Sequence, residues 1–211
     1  MKYYSQSKQD KWVLENLTSK INGVFVDIGA YDGIQTSNTY TLEKYYNWNG
    51  ICIEANSEIY QKLIKNRNCI NIYGAVSNYN GDCYFSSDKI SSEGIKTPCF
   101  ILNDILEKNL NKNVIDYLSL DVEGHEFSIL ETIDFDKWKF KLLTVEHNLY
   151  CNGSDQKNKI FDLLSKKGYT RIVEDAVCLD TNPAWNNKPY EDWYVNSDFT
   201  FGDKIWKQSE I

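Results

Sequence analysis

The sequence predicts an α/β fold, a mostly parallel sheet with helices on both faces. Three observations carry this. Short apolar runs rich in Val and Ile alternate with stretches of helical period along the chain. The clearest run, Val24-Phe25-Val26-Asp27-Ile28, leads into Gly29-Ala30-Tyr31-Asp32-Gly33. It reads as a buried parallel strand entering a tight turn and then a helix. Four such runs also reach a carboxylate near their ends, at Asp27, Glu54, Asp121 and Glu146.

Taken in order, residues 7–19 read as a first helix, with Trp12, Val13 and Leu17 on one face. The first strand is 24–28. Thr36 or Ser37 caps a helix to about Tyr46, with Glu43 placed to interact with the cap. Asn49-Gly50 ends it, and 51–54 is the second strand. Ser57 caps a helix at 58–66, and the third strand is 69–73. Residues 77–100 are less regular, with a hairpin expected at Asn80-Gly81. A helix at 102–109, a strand at 116–121, a short helix at 126–132 and a strand at 141–146 follow. The last helix, 155–167, stops at Gly168, a natural residue beyond a helix end. Residues 169–174 and 176–180 read as a terminal antiparallel pair. No linker or repeat interrupts the 211 residues, so one domain is expected over 1–211. It has a helical lead-in at about 1–20 and an aromatic-rich segment at about 182–211. That segment holds Trp185, Trp193 and Trp206, three of the six tryptophans, which suggests a cover over the sheet or over a substrate.

Composition narrows the partners. Net charge is −7, from 23 basic and 30 acidic residues, without a basic run. Nucleic acid and anionic membrane are therefore poor partners. No apolar run approaches the ~20 residues of a membrane span, and the polar start lacks a signal-peptide core. The six cysteines form no C-x-x-C pair, and Cys52 and Cys69 lie in apolar runs. Reduced thiols in a cytoplasmic protein are expected.

The chemistry gathers at strand ends, where open α/β sheets bind ligands. A dinucleotide loop wants three glycines to approach a pyrophosphate. Here the middle glycine is missing, and Asp27 and Asp32 repel phosphate. Carboxylates suit a ligand with a cationic amine and neutral hydroxyls, such as S-adenosylmethionine. Gly29 lets the chain turn, Gly33 permits close approach, and Asp27 or Asp32 balances an ammonium or positions a water. Glu54 suits a ribose diol, since a carboxylate accepts two hydroxyl hydrogen bonds. After the fourth strand comes Asp121-Val122-Glu123-Gly124-His125-Glu126, and after the fifth Glu146-His147-Asn148. Asp121, Glu123 and Glu146 offer oxygen ligands to a hard divalent ion such as Mg. His125 or His147, the chain's two histidines, is the expected proton acceptor. The plainer reading of each feature is a strand–helix turn, a solvated acid and a loop-ordering network.

Several ordered motifs then resemble the FkbM-type methyltransferases. They are Phe25 to Gly33, Ser37-Asn38-Thr39 with Leu42-Glu43, Trp48 to Asn56, Leu118 to Gly124, and Val145-Glu146-His147. Ser5-Gln6 and Gln9-Asp10 match a lead-in common in these proteins, and the likeness spans about 5–181. The resemblance implies a class I Rossmann-like fold with a seven-stranded sheet and S-adenosylmethionine as donor. It puts Asp27, Gly29 and Gly33 at the methionine end, Glu54 at the ribose, and Asn38 and Glu43 in support. It puts residues 75–77 and 82, with Ala75 and Asp82, near the adenine. Ala55 stands where a proline often follows the acid, and His125 where a small residue is common. Family members are usually O-methyltransferases of polyhydroxylated molecules, so the expected acceptor is a sugar, nucleotide sugar or surface glycan. For transfer to a hydroxyl, the residues themselves, not the family pattern, offer His125 or His147 as the base, with Asp121 beside it. Two rivals are a nicotinamide-dependent oxidoreductase and a non-catalytic glycan- or protein-binding module using Trp185 and Trp193.

Overall fold

The computed structural model describes residues 2–179 and 186–201. Helix α1 (Gln9–Asn16) precedes β1 (Val24–Ile28), α2 (Tyr40–Tyr46), β2 (Asn49–Glu54), α3 (Ser57–Asn66) and β3 (Ile70–Tyr73). Four short strands follow: β4 (Ala75–Val76), β5 (Gly81–Ser86), β6 (Lys89–Ser91) and β7 (Ile95–Phe100). Then come α4 (Leu102–Asn109), β8 (Val114–Leu120), α5 (Glu126–Leu130) and β9 (Lys139–Glu146). The chain closes with α6 (Leu149–Asn152), α7 (Ser154–Lys166), β10 (Tyr169–Val177) and β11 (Pro189–Asn196).

Seven strands form the main sheet in the order β10-β11-β9-β8-β1-β2-β3. From β3 to β9 the pairs are parallel, while β11 runs antiparallel to both β9 and β10. Side chains alternate across the pleat, so each strand feeds two cores. Val26, Ile53, Leu118 and Val145 pack with Leu106 of α4, Ile129 of α5 and Leu164 of α7. On the other face Phe25, Cys52, Tyr117 and Leu142 pack with Trp12 of α1, Leu42 of α2 and Leu63 of α3. A helical layer on each face is the architecture the sequence predicts.

Several boundaries differ from the expected ones. Helix α3 is capped by Asn56 rather than Ser57: its Oδ1 accepts the N–H groups of Glu58 and Ile59 at 3.0 and 3.1 Å. Helix α2 starts only at Tyr40, because residues 29–38 form an irregular loop. Ser37 still serves that helix, its Oγ accepting the Tyr40 N–H at 3.1 Å. Glu43 is occupied elsewhere, by Arg67 at 2.6 Å. Asn80-Gly81 is not a hairpin turn. Asn80 instead ties the chain to the start of α4, through the Ile101 N–H and the Asp104 carboxylate. The tight turn lies at Ser87-Asp88, between the paired strands β5 and β6. The second sheet, β4-β7-β5-β6, is thereby placed beside the carboxyl ends of the main strands.

The terminal pair is also different. Residues 169–177 make one strand with register shifts, and its partner is 189–196. Trp193, expected to stack on a sugar, is fully buried in β11, with its ring 5.0 Å from that of Trp12. Trp185 and Trp206 lie outside the described residues. Among the described residues no helix is long and apolar enough to cross a membrane.

Candidate active site

Chain direction explains where the site forms. From β1 the chain moves on to β2, and from β8 it moves to β9 on the other side. The two connections diverge and leave a crevice at the carboxyl ends of β1 and β8. A cavity of about 270 Å³ opens there, lined by Asp27, Gly29, Ser37, Asn38, Glu54 and Asp121 among others.

Gly29 is required by both backbone and space. Its φ is +84°, and a Cβ would lie 1.8 Å from the Asp121 carbonyl oxygen. No other residue lets β1 end directly beneath β8. Gly33 also has a positive φ, +80°, but it faces Arg67 and Leu63 rather than the cavity. Its close approach is to α3. Asp32 does not line the cavity either. Its Oδ1 accepts the N–H groups of Ile34 and Gln35 at 2.9 and 2.8 Å and shapes the loop.

Asp27 is held by a chain of donors that the sequence does not announce. Arg67, 3 % exposed, donates from Nη2 to Thr39 Oγ1 at 2.9 Å. Thr39 donates to Asp27 Oδ2 at 2.5 Å. Burial pushes the Asp27 carboxyl up, while the Arg67 charge, Thr39 and Ser119 pull it down. Asn38 donates to Ser119 Oγ at 2.9 Å, and its own Oδ1 is buried with no hydrogen-bond partner among the described residues. A buried amide oxygen is costly unless a donor meets it, and this one belongs to a residue that lines the cavity, which makes it a candidate ligand contact.

Glu54 is fixed at the end of β2. Its Oε2 accepts the Tyr31 N–H at 3.0 Å and its Oε1 the Asn56 N–H at 2.7 Å. Burial raises its pKa, partly offset by these backbone donors. Beyond Glu54 lies an apolar slot walled by Ile53, Ala75, Val76, Phe85, Ile90 and His125. Ala75 lines this slot. Asp82 does not: it stands on the outward side of β5, 2.8 Å from Lys96, while Cys83 and Phe85 turn inward.

Asp121 and Glu146 sit side by side, each directly following the paired residues Leu120 and Val145. Carboxylate oxygens of Asp121, Glu123 and Glu146 all lie within 4.8 Å of one another. Burial, then the Glu123 charge, pushes Asp121 up to about 7, and burial with the Asp121 charge drives Glu146 well above its usual range. Three clustered acids in a half-dry site must hold a proton or a cation. A second cavity, of about 290 Å³, adjoins this group and is walled by Gln6, Tyr31, Glu146, Tyr150 and Tyr190. It overlaps the first, sharing Asp121, Glu123, Asp88 and Thr36 and also Gln6, Tyr31 and Gln35.

Neither histidine reaches this second cavity. His147 is 1 % exposed, with both ring nitrogens engaged. Its Nδ1 accepts the Leu149 N–H at 3.2 Å, and Nε2 faces Asp192 at 3.3 Å and Asp175 at 3.5 Å. Arg171 and Lys157 complete that network. His125 opens on the apolar slot, on the far side of Asp121.

Sequence reasoning missed Gln6, Tyr31, Phe85, Asp88, Ser119 and Tyr190 on the walls. Ser119 left a signal, a small polar residue inside the apolar run before Asp121. Gln6 also left one in the lead-in motif. Its Nε2 donates to Cys178 Sγ at 2.7 Å, and Gln9 beneath it donates to the Tyr190 hydroxyl at 2.6 Å.

The FkbM domain model of methyltransferases matches residues 27–171, most of the chain. A comparison with curated protein sequences gave no match. Among solved structures, the chain is similar to the FkbM methyltransferase of Methylobacillus flagellatus KT, with TM-score 0.54 and 16 % identity. That match covers 82 % of this chain and 43 % of the other, so the chain spans less than half of that protein. It is also similar to precorrin-6y C5,15-methyltransferase from Geobacter metallireducens GS-15 (TM-score 0.51, 12 % identity, 89 % and 87 % covered). A third similar structure is Aeropyrum pernix fibrillarin with bound S-adenosyl-L-methionine (TM-score 0.51, 11 % identity, 83 % and 67 % covered). These structural likenesses establish the fold, and the domain match establishes the family. The chain belongs to the FkbM methyltransferase family, with the class I fold of S-adenosylmethionine-dependent methyltransferases.

Proposed function

We propose that this protein transfers the methyl group of S-adenosylmethionine to a hydroxyl oxygen of a sugar or related polyol. The observation that carries the reading is the pairing of cavities: a donor site and a polar acceptor site share the Asp121–Glu123 wall. The residues fit the donor. The unpartnered Asn38 oxygen suits its ammonium, Asp27 adds negative charge at the same end, and Glu54 suits the ribose hydroxyls. When bound, the cofactor supplies a methyl group on a sulfonium, already activated for transfer.

The chain's own task is then alignment and proton removal. With both histidines turned elsewhere, Asp121 accepts the hydroxyl proton, its pKa of about 7 matched to neutral pH. Tyr190, which lines only the second cavity, and Gln6 and Tyr31, which line both, orient the acceptor.

A second reading of the acid group rests on its geometry. Asp121, Glu123 and Glu146 present three oxygen donors within 4.8 Å and fit a hard divalent cation such as Mg. A cation held there would acidify a nearby hydroxyl. Full activity after chelation, with no divalent ion found by elemental analysis, removes the cation and leaves Asp121 as base.

Labelled methyl transfer from S-adenosylmethionine to a panel of neutral sugars, nucleotide sugars and glycans tests the proposal. Calorimetry without an acceptor separates an enzyme from a binding module, because a module on this scaffold binds no donor.

A further inference from the structure

We propose that His125, far from being the base, recognises the adenine of the donor. The inference rests on the donor reading above. The donor cavity and the apolar slot are continuous, sharing Gly29, Glu54, Phe85, Asp88 and Asp121. Glu54 stands at the junction. A ligand with its ribose at Glu54 extends its charged end toward Asp27 and Asn38, and its flat base toward Ala75, Val76 and Phe85. The polarity of the two ends dictates that direction.

The slot suits an adenine face but offers few groups to read its edge. Adenine presents ring nitrogens that accept and one amine that donates. Of the side chains lining the slot, the carboxylates of Glu54, Asp88 and Asp121 supply acceptors, and His125 is the only one carrying an N–H. The His125 ring is half-buried at the slot wall and has no hydrogen-bond partner among the described residues. A neutral imidazole supplies one donor and one acceptor. It can therefore meet a ring nitrogen of the base through its N–H or, with the ring turned, the exocyclic amine through its bare nitrogen. Van der Waals walls come from Ile53 of the main sheet and from Val76, Phe85 and Ile90 of the small sheet.

Two measurements test this. The first is calorimetry with S-adenosylhomocysteine and with 5′-methylthioadenosine, which has the base and ribose but no amino acid. His125→Ala is expected to weaken both ligands by a similar factor, about tenfold for a lost hydrogen bond in a partly buried site. His125→Asn, which keeps a donor and an acceptor, is expected to recover part of the loss. Unchanged affinity of His125→Ala for 5′-methylthioadenosine overturns the proposal, as does a loss confined to S-adenosylhomocysteine. The second measurement leaves the protein unaltered. The chain has two histidines, and His147 is sealed in its own network. With 15N-labelled histidine, adding 5′-methylthioadenosine should shift the His125 ring nitrogens and leave those of His147 in place. Still His125 signals in the presence of saturating ligand overturn the proposal. Failure of the wild-type protein to bind either ligand overturns the donor reading itself, and this inference with it.

Discussion

Arg67→Met tests how the donor loop is held in place. The guanidinium donates to Glu43 at 2.6 Å, to Thr39 at 2.9 Å and to the Gly33 carbonyl at 3.3 Å. Through Thr39 it supports Asp27. It also lies over the Phe25 ring, 5.2 Å from the centroid. Methionine retains much of the aliphatic stem, so the change removes chiefly charge and hydrogen bonds. Removing one partner of a buried ion pair costs about 3–5 kcal/mol, because the other charge is left behind. Glu43 is 13 % exposed, which lets water reach it and sets the lower end. A loss of about 3 kcal/mol corresponds to ~6–12 °C in Tm for a protein of this size. Urea unfolding followed by tryptophan fluorescence measures it. Adding Glu43→Gln to Arg67→Met should return about 1 kcal/mol, since the Glu43 carboxylate is then no longer left without its partner. S-adenosylhomocysteine should also bind less tightly, because the loop from Gly33 to Thr39 loses its anchor. A loss under about 1 kcal/mol, or a double variant no better than the single, refutes this reasoning.

Asn38→Ala should weaken S-adenosylhomocysteine about tenfold and leave 5′-methylthioadenosine unaffected, since the proposed donor pose sets the ammonium at the Asn38 oxygen; equal losses for both ligands would place it elsewhere. Glu191 is buried against Gln9 and Trp193, and burial pushes its carboxyl up to about 8. The native state therefore holds a proton that the unfolded chain releases near pH 4.5, so stability falls as pH rises from about 4.5 to 8. The slope is at most about 1.4 kcal/mol per pH unit. Glu191→Gln should flatten that slope in denaturation curves, and an unchanged slope would show that other groups cause it. His147→Asn should lower Tm by several degrees, on the order of 1–3 kcal/mol for a broken buried network, and leave donor affinity intact. Weakened binding with full stability would instead return His147 to the site.

The sequence reveals most about residues whose role is local. Asp27, Gly29 and Glu54 were legible because a β-branched run, a tight turn and a strand-end acid are features of consecutive residues. The Asp121–Glu146 pairing followed as soon as their strands were taken as neighbours. What stayed hidden depends on distant partners. The strand 189–196 carries Glu191 and Asp192, which argue against burial until Gln9, Arg171 and His147 arrive to satisfy them. The same long-range contacts turn His147 from an expected base into a structural group. Phe85 and Asp88 reach the cavities only because β5 and β6 fold back beside the main sheet, which residues 77–100 do not announce by periodicity. Gly33 and Asp32 are expected from the sequence to meet the ligand, yet Gly33 faces α3 and Asp32 the loop backbone, because the turn after β1 is packed against α3.

Methyl transfer itself is the most direct measurement. The full chain, methyl-tritiated S-adenosylmethionine and a panel of neutral oligosaccharides are combined at neutral pH, and alkali-stable label on the sugar is counted. We expect label as a methyl ether on a sugar oxygen, abolished by Asp121→Asn without loss of donor affinity, and reduced by Glu54→Gln together with donor affinity. No label on any sugar, no calorimetric signal for S-adenosylmethionine, and binding of a reduced nicotinamide cofactor in its place would contradict the mechanism.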